Sequence, residues 1–506
     1  MLDVFRKDLT LGIVGTGLMG RGIAQIAAQA GVRVILHDAR PEAAAEARVF
    51  IRQTLDKLVQ KGKLTTADVD ASVARIEVAA RLEELAPCQI VIEAIIEDMG
   101  AKRDLFKNLD VIIHDTCILA TNTSSLSVTA IAADCRLPSR VAGLHFFSPV
   151  PLMRVVEVVT GVRTATWVSD TLVSLAERIG HTPVRAQDTP GFIVNHAGRG
   201  YGPEALRIVG EGIADVAEVD RILRDAAGFR MGPFELFDLT GLDVSHPAME
   251  SIYNQYYQEP RYRPSPITRQ RLAAGLFGRK SGAGFYEYHD GQAKPSLVPD
   301  IPTIRPTLVW ISRSNRIGHD AVRALVKTLG GTLDEGAIPD KEALCVVLPI
   351  GADATTTALA EGLDPTRTVA LDTLFLGKRR TLMTTPVTAA SQREAAHGLF
   401  ASDGIPVSVI HDSPGFVAQR VVAMIVNIGC DIAQQRIASP ADIDLAVSLG
   451  LGYPKGPLAM GDAIGAANVL GILNGMHSLY WDPRYRPSLW LTRRAKLGIS
   501  LLTPEN

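Results

Sequence analysis

Leu9-Thr10-Leu11-Gly12-Ile13-Val14-Gly15-Thr16-Gly17-Leu18-Met19-Gly20 is the stretch that decides the fold class. Leu9 to Val14 is a short apolar run of the kind that forms a buried strand. The G-x-G-x-x-G that follows opens a helical pattern running through Ala30. In that order of strand, turn and helix each glycine has a task. Gly15 permits the turn, Gly17 lets backbone approach a pyrophosphate, and Gly20 lets the helix pack on the strand. Leu18 and Met19 complete the same cofactor-contacting turn. Gly31 ends the helix, and Val32-Arg33-Val34-Ile35-Leu36-His37-Asp38 is a second strand closing on an acid. Asp38 falls 23 residues after Gly15, the place for a carboxylate on adenosine ribose hydroxyls. A carboxylate there repels a 2′-phosphate, so the expected cofactor is NAD.

The next apolar strand, Gln89 to Ala94, begins about fifty residues after Asp38, far more than a crossover helix needs. Two helical patterns fill the gap, Pro41 to about Lys61 and Thr66 to about Ala74. The first carries Thr54 and Lys61 at i and i+7, on one face. Such a face is either solvated or a rail for a long phosphorylated ligand. Glu97 and Lys102 follow, then Cys117 to Thr121, a strand ending in Asn122-Thr123-Ser124-Ser125. Polar residues at the carboxyl end of a parallel strand point into the ligand crevice, or cap the following helix. Ser125 or Thr123 is the expected cap, with Ser124 facing the ligand.

A histidine ends the next apolar strand in Gly143-Leu144-His145-Phe146-Phe147-Ser148-Pro149. A proline-rich turn brings the chain back, and Glu157 appears twelve residues on in a second apolar run. A carboxylate on one ring nitrogen lets the other act as a base near neutral pH. The same pair also satisfies two buried polar groups with no chemistry at all.

The 506-residue chain has room for several cores, and 47% hydrophobic with 21% charged residues is a globular composition. A net charge of −2 argues against nucleic acid or an anionic membrane as partner. Five cysteines without C-x-x-C suggest reduced core thiols and a cytoplasmic setting. No metal site is expected.

Five motifs stand in one order. They are Gly15-x-Gly17-x-Met19-Gly20, Ile92-Glu93-Ala94-Ile95-Ile96-Glu97, Asn122-Thr123-Ser124-Ser125, Gly143-Leu144-His145-Phe146-Phe147 and Asp188-Thr189-Pro190-Gly191-Phe192-Ile193-Val194-Asn195. Together, over roughly residues 8 to 288, the chain resembles the L-3-hydroxyacyl-CoA dehydrogenases. The resemblance implies oxidation of a (3S)-3-hydroxyacyl-CoA, with His145 as general base and Glu157 orienting it. It implies Ser124 and Asn195 on the reacting substrate oxygens, and Glu97, Lys102 and Asn122 on the cofactor. Thr54 and Lys61 fall where the family contacts coenzyme A. Ser148 and Arg154 depart from the family's usual Asn and Lys, and His196 stands where it has Arg. No catalytic role is expected of His196, which reads as a helix-surface or a packed histidine. Two other readings remain: a dehydrogenase of a free hydroxyacid or sugar acid, and an NAD-binding structural protein of the crystallin kind.

The second half repeats the first. Asp188-Thr189-Pro190-Gly191-Phe192 recurs as Asp412-Ser413-Pro414-Gly415-Phe416, an offset of 224 residues that also links Asp220 to Asp444, Gly232-Pro233 to Gly456-Pro457 and Asp238 to Asp462. Gln419 replaces Asn195, Asp372 aligns with His145, and no glycine fingerprint accompanies the apolar segments near Trp310 and Cys345. The tail Gly282-Ala283-Gly284-Phe285-Tyr286 has no counterpart in the second copy. The expected architecture is α/β. A Rossmann-type parallel sheet (1–188) and an all-α substrate and dimerisation domain (189–290) precede a degenerate small α/β domain (301–411) and a second α domain (412–506). The duplicate helices suggest either a homo-oligomer or an internal pseudo-dimer. One NAD per chain is expected. Calorimetric titration should give a stoichiometry of one, and two equivalent sites would contradict the reading of the second half.

Overall fold

The structure, a computed structural model, describes residues 2–298 and 300–505. It divides into two compact units, Met1–His196 with Gln435–Leu451, and Ala197–Gln434 with Gly452–Asn506.

The first unit holds β1 (Thr10–Val14), β2 (Arg33–His37), β3 (Ile76–Val78), β4 (Ile90–Glu93), β5 (Ile118–Thr121), β6 (Val141–Phe146), β7 (Val155–Thr160) and β8 (Thr182–Gln187), in the sheet order β3-β2-β1-β4-β5-β6-β7-β8. β1 to β6 run parallel. β7 turns back antiparallel to β6, and β8 runs parallel to β7. The connections carry α1 (Leu18–Gln29), α2 (Ala43–Gln60), α3 (Thr66–Ala74), α4 (Met99–Ile112), α5 (Val128–Ala132), α6 (Thr166–Arg178) and, after β8, α7 (Val194–Ala197). β1 and β4 are buried along their whole length, which is why they show as unbroken apolar runs. Leu11 and Ile13 of β1 share a core with Ile23 and Ala27 of α1 and with Leu172 and Leu175 of α6. α2 and α3 match the two helical patterns, and α3 starts at a capping box between Thr65 and Asp68. β3 buries only Ile76, so no apolar run announces it.

The second unit begins with α8 (Gly202–Gly210), α9 (Val216–Asp225), α10 (Pro233–Thr240), α11 (Leu242–Gln255) and α12 (Pro266–Ala273), closed by the hairpin β9 (Tyr288–His289) and β10 (Gln292–Ala293). A second sheet follows, of β11 (Val309–Ile311), β12 (Leu333–Asp334), β13 (Leu344–Val347), β14 (Thr368–Leu371), β15 (Arg380–Thr384) and β16 (Val407–Ile410), with α13 (Arg316–Thr328), α14 (Ala354–Ala360) and α15 (Ala390–Phe400). Then come α16 (Val417–Gln434), α17 (Pro440–Gly450), α18 (Pro457–Ile464), α19 (Ala466–Tyr480) and α20 (Leu489–Leu497). Of these, α17 belongs to the first unit and packs on β7 and β8. No single helix among the described residues is long and apolar enough to cross a membrane.

The second sheet is a shortened first one. Its order, β12-β11-β13-β14-β15-β16, keeps an antiparallel β14–β15 pair flanked by a parallel β16, as in β6-β7-β8. Asp188 accepts from the amides of Val128 and Thr129 at the start of α5, 3.0 and 2.7 Å away. Asp412 accepts from Ala354 and Thr355 at the start of α14, at 2.8 and 3.2 Å. β13 therefore answers to β5, and β4 with α4 has no counterpart. Another seat survives without its sequence. Asp238 accepts from the amides of Phe285 and Tyr286, and Asp462 does the same work for Leu501.

Within the second unit the two helical copies pack on each other. α16 is buried from Val417 to Ala433, and α8 lies against it. Arg420, wholly buried, lies 2.9 Å from Glu204, which also accepts from Arg484 at 3.1 Å and the Tyr485 hydroxyl at 3.0 Å. The repeat places His196 opposite Arg420 and Ile428 opposite Glu204, so this ion pair has no mirror image.

Asp372 is buried at the end of β14, and its Oδ1 accepts from the Gln419 amide at 3.0 Å. Its Oδ2 has no hydrogen-bond partner. Burial pushes its carboxyl up to about 6 against an ordinary 3.8, with the Gln419 bond opposing. The proton that Asp372 takes up therefore favours the fold below about pH 4, and that contribution is lost as pH rises through about 6. Asp372→Asn is expected to stabilise the second unit at pH 7.5, by up to about 3 kcal/mol. It should also flatten the dependence between pH 4 and 6 in urea melts. A less stable variant at pH 7.5 would contradict this.

Candidate active site

Gly15 has φ +90, and a Cβ there would lie 2.6 Å from the Ala94 carbonyl oxygen. A Cβ on Gly20 would lie 1.8 Å from the Gly15 carbonyl oxygen. Neither position tolerates a side chain. A Cβ on Gly17 would meet nothing within 4 Å. α1 has no side-chain cap and no acidic residue in its first turn, so its leading amides face that open space. This cradle fits a pyrophosphate. Leu18 is exposed and Met19 half-buried beside it. Asp38, at the end of β2, accepts from the Thr16 amide and hydroxyl at 2.7 and 2.9 Å and from the Arg40 amide at 3.0 Å. Burial works against its charge, but these bonds and the nearby Arg40 hold its carboxyl below the ordinary value.

At the ends of β4 and β5 a buried polar chain begins. Glu93 is wholly buried and accepts from Lys102 Nζ at 2.5 Å, the Ile95 amide at 2.7 Å and the Thr121 hydroxyl at 2.7 Å. Lys102, from the first turn of α4, also lies 3.3 Å from Glu97 Oε2. Glu97 Oε1 accepts from the Thr123 hydroxyl at 2.6 Å, the Ser124 amide at 2.9 Å, and the Ser125 hydroxyl and amide at 3.0 and 3.1 Å. Burial would raise the Glu97 carboxyl, but Thr123, Lys102 and the serines hold it below its usual value. The helix cap expected of Ser125 or Thr123 is instead Ser127, whose hydroxyl accepts from the Ala130 amide at 3.2 Å. Thr123 and Ser125 are turned to Glu97.

His145 and Glu157 face each other across the antiparallel β6–β7 pair. Nδ1 of His145 lies 2.6 Å from Glu157 Oε2. The other oxygen, Oε1, accepts from the Ile193 and Val194 amides, both at 2.9 Å. An ionised carboxylate only accepts, so Nδ1 carries the proton and Nε2 keeps a lone pair. Among the described residues nothing bonds Nε2. Phe147 and Phe192 pack their rings on the imidazole, centroids 4.4 and 5.8 Å away. Asn122 Oδ1 accepts from the Phe146 amide at 2.8 Å, joining the β5 end to the residue after His145. Asn195, beside the amides that Glu157 binds, donates to the Ser124 carbonyl at 3.5 Å.

The fold thus links Asn195, Ser124, Glu97 and Lys102 in one bonded chain, with the His145–Glu157 pair joined to it through the backbone beside Asn195 and Asn122 bonded to the Phe146 amide next to His145. Asp38 joins the glycine turn. Thr54 and Lys61 stand apart on α2: the Thr54 hydroxyl donates to the Phe50 carbonyl in its own helix at 2.9 Å, and Lys61 is exposed just past the last residue. His196 is fully buried. Glu93 escaped the sequence reading, although it ends an apolar strand just as Asp38 does. A cavity of about 1410 Å³ in the second unit, lined by residues such as Ile213, Glu218, Arg379 and His397, contains none of these residues.

A glycine cradle at a helix start, an acid closing the second strand and a carboxylate-held imidazole in the same sheet define an NAD-dependent oxidoreductase of the Rossmann type. The chain belongs to the 3-hydroxyacyl-CoA dehydrogenase family: residues 10–189 match its NAD binding domain, and residues 191–288 and 415–500 its C-terminal domain. It is 37% identical over 489 residues to 3-hydroxyadipyl-CoA dehydrogenase of Escherichia coli K12, covering 96% of this chain and 98% of that one. It is 41% identical over 280 residues to a probable 3-hydroxybutyryl-CoA dehydrogenase of Deinococcus radiodurans, covering 55% of this chain and all of that one. The crystal structure of 3-hydroxybutyryl-CoA dehydrogenase from Escherichia coli K12 superposes with a TM-score of 0.87 at 35% identity, covering 97% of this chain and 99% of that one.

Because a methyl group at Gly17 meets no protein atom, Gly17→Ala should fold normally, with a melting temperature within about 2 °C of the parent. The same methyl stands where a pyrophosphate must approach, so NAD affinity should fall by about tenfold or more. Calorimetry with NAD checks this, and unchanged affinity would contradict the cradle.

Proposed function

We propose that the protein oxidises (3S)-3-hydroxyacyl-CoA thioesters to 3-oxoacyl-CoA. The observation that carries this is the 2.6 Å contact between His145 Nδ1 and Glu157, with Nε2 left unbonded. Bound NAD supplies the hydride acceptor. His145 Nε2 removes the 3-hydroxyl proton as C3 loses hydride, and Glu157 stabilises the imidazolium that forms. That proton then passes from Nε2 to solvent. Ser124 and Asn195 donate hydrogen bonds to the reacting oxygens, so the developing alkoxide is met by fixed dipoles. Gly15, Gly17, Leu18, Met19, Gly20, Asp38, Asn122, Glu97 and Lys102 form the cofactor side, with Lys102 acting through Glu97 because its own ammonium is buried. Thr54 and Lys61 meet the coenzyme A moiety.

The names of the relatives support a four-carbon or a dicarboxylic acyl group. Residues 1–188 and 189–290 serve as cofactor and substrate domains, while 301–411 and 412–506 supply a non-catalytic partner for the helices. The net charge of −2 supports neither nucleic acid nor membrane as partner, and five buried cysteines fit the cytoplasm.

NADH formation across 3-hydroxyacyl-CoAs from four-carbon to dicarboxylic and long-chain, with free hydroxyacids as controls, tests the reading. Turnover of thioesters but not free acids is expected. Glu157→Gln cannot offer acceptors both to Nδ1 and to the two amides. It should therefore lower kcat by about 10²–10⁴ with NAD affinity nearly unchanged. Activity confined to free acids, or full activity in this variant, would contradict the proposal.

A further inference from the structure

We propose that Glu93 is a positioning residue that sets the net charge beside the reacting centre, and that this charge biases the site toward the oxidised, cationic nicotinamide over the reduced, neutral one. The inference rests on the reading above and concerns a residue that touches neither substrate nor cofactor.

Glu93, Lys102 and Glu97 form a row of alternating charge. The Lys102 ammonium is 1% exposed, with Glu93 at 2.5 Å and Glu97 at 3.3 Å. Two carboxylates share one cation, so the row carries a net charge of −1. Glu93 is the better partner by distance and leaves Glu97 with the surplus. Little water reaches Lys102 or Glu93, whereas Glu97, which holds the surplus, is 37% exposed, so the surplus is partly screened. Glu97 passes it directly to the loop that carries Ser124, through bonds to the Ser124 amide at 2.9 Å and hydroxyl at 3.4 Å. Ser124 in turn is held by Asn195. Hydride transfer requires the nicotinamide ring against the carbon whose oxygen these groups bind, so the negative row acts on the ring's charge. That charge is +1 before the transfer and zero after it.

The chain carries its own comparison. The second sheet has no counterpart of β4 and α4, and so none of Glu93, Glu97 or Lys102; only nine residues, 335–343, separate β12 from β13. Its remaining positions have also lost their chemistry. Asp372 stands for His145, Gln419 for Asn195, and Ile350 for Ser124, counted from the starts of α14 and α5. The half without the base is the half without the charged row.

The test is equilibrium binding of NAD⁺ and of NADH to the full-length protein, by calorimetry and by NADH fluorescence. In Glu93→Gln, Lys102 pairs with Glu97 alone and the row becomes neutral. The ratio Kd(NAD⁺)/Kd(NADH) should then rise by about threefold, the scale of one partly screened charge on a cationic ring. Thr121→Val removes a bond to Glu93 without changing charge, so it should leave that ratio unchanged even if both affinities fall. Equal weakening of the two forms in Glu93→Gln, or an equal rise of the ratio in Thr121→Val, would overturn the proposal. Should Glu93→Gln fail to fold, Glu97→Gln removes the same unit of charge: a raised ratio supports the proposal and an unchanged one overturns it. Failure of the substrate reading is seen separately, as wild-type protein that binds both nucleotides but oxidises no 3-hydroxyacyl-CoA.

Discussion

The Glu157 carboxylate is the interaction on which the first half of the chain depends. One oxygen faces the imidazole of His145, and the other takes the amides of Ile193 and Val194. A single buried charge thus fixes the tautomer of the imidazole and anchors the start of the helix that carries Asn195. Burying a carboxylate is costly unless each lone pair finds a donor, and three donors are in place. Orientation of the imidazole and placement of the Asn195 amide follow from the same residue.

The second half shows what the same frame becomes when that charge is absent. Thr381 lies opposite Asp372 across β14–β15, with the Asp372 amide donating to its carbonyl at 3.1 Å. Gln419 reaches Asp372 and also bonds the backbone of Gly351 at 3.0 Å. Gly351 is packed so closely that a Cβ on it would lie 2.5 Å from Ile472. This corner of the second half is closed, with Asp372 and Gln419 both at 0% exposure, while Ser124 and Asn195 in the first half remain partly open. What the second half retains is its helical surface, bound through Arg420 and Glu204. A buried ion pair adds little stability over an apolar one, but breaking it strands a charge. Because the pair has no mirror image, matching like copy with like would leave Arg420 facing an isoleucine position. The cluster thus specifies the pairing of unlike copies.

Much of this was legible in the residues. Gly15, Gly17 and Gly20 have steric requirements that spacing reveals, and Asp38 closes a strand at a fixed distance from them. His145 and Glu157 are twelve residues apart in two apolar runs joined by a turn, which is enough to pair them across a hairpin. The offset of 224 residues revealed the second copy of the helices. Other features depend on tertiary partners and leave no local mark. Thr121, Thr123, Ser124, Ser125 and Ser127 all carry hydroxyls, and which one caps α5 is decided by Glu97 and Asp188, which follow β4 and β8. β3 has one buried residue and so no period to detect. The seat that Asp462 gives Leu501 repeats that of Asp238 without repeating its sequence.

The most direct measurement is the tautomer of His145 in protein carrying ¹⁵N-labelled histidine, read from long-range ¹⁵N–¹H correlations at pH 8 and assigned by loss of the signal in His145→Gln. The expected spectrum has a proton on Nδ1, shifted far downfield by Glu157, and an Nε2 with the resonance of an unprotonated ring nitrogen. A proton on Nε2 at that pH would leave no lone pair where the hydroxyl must be deprotonated, and would contradict the assignment of His145 as the base.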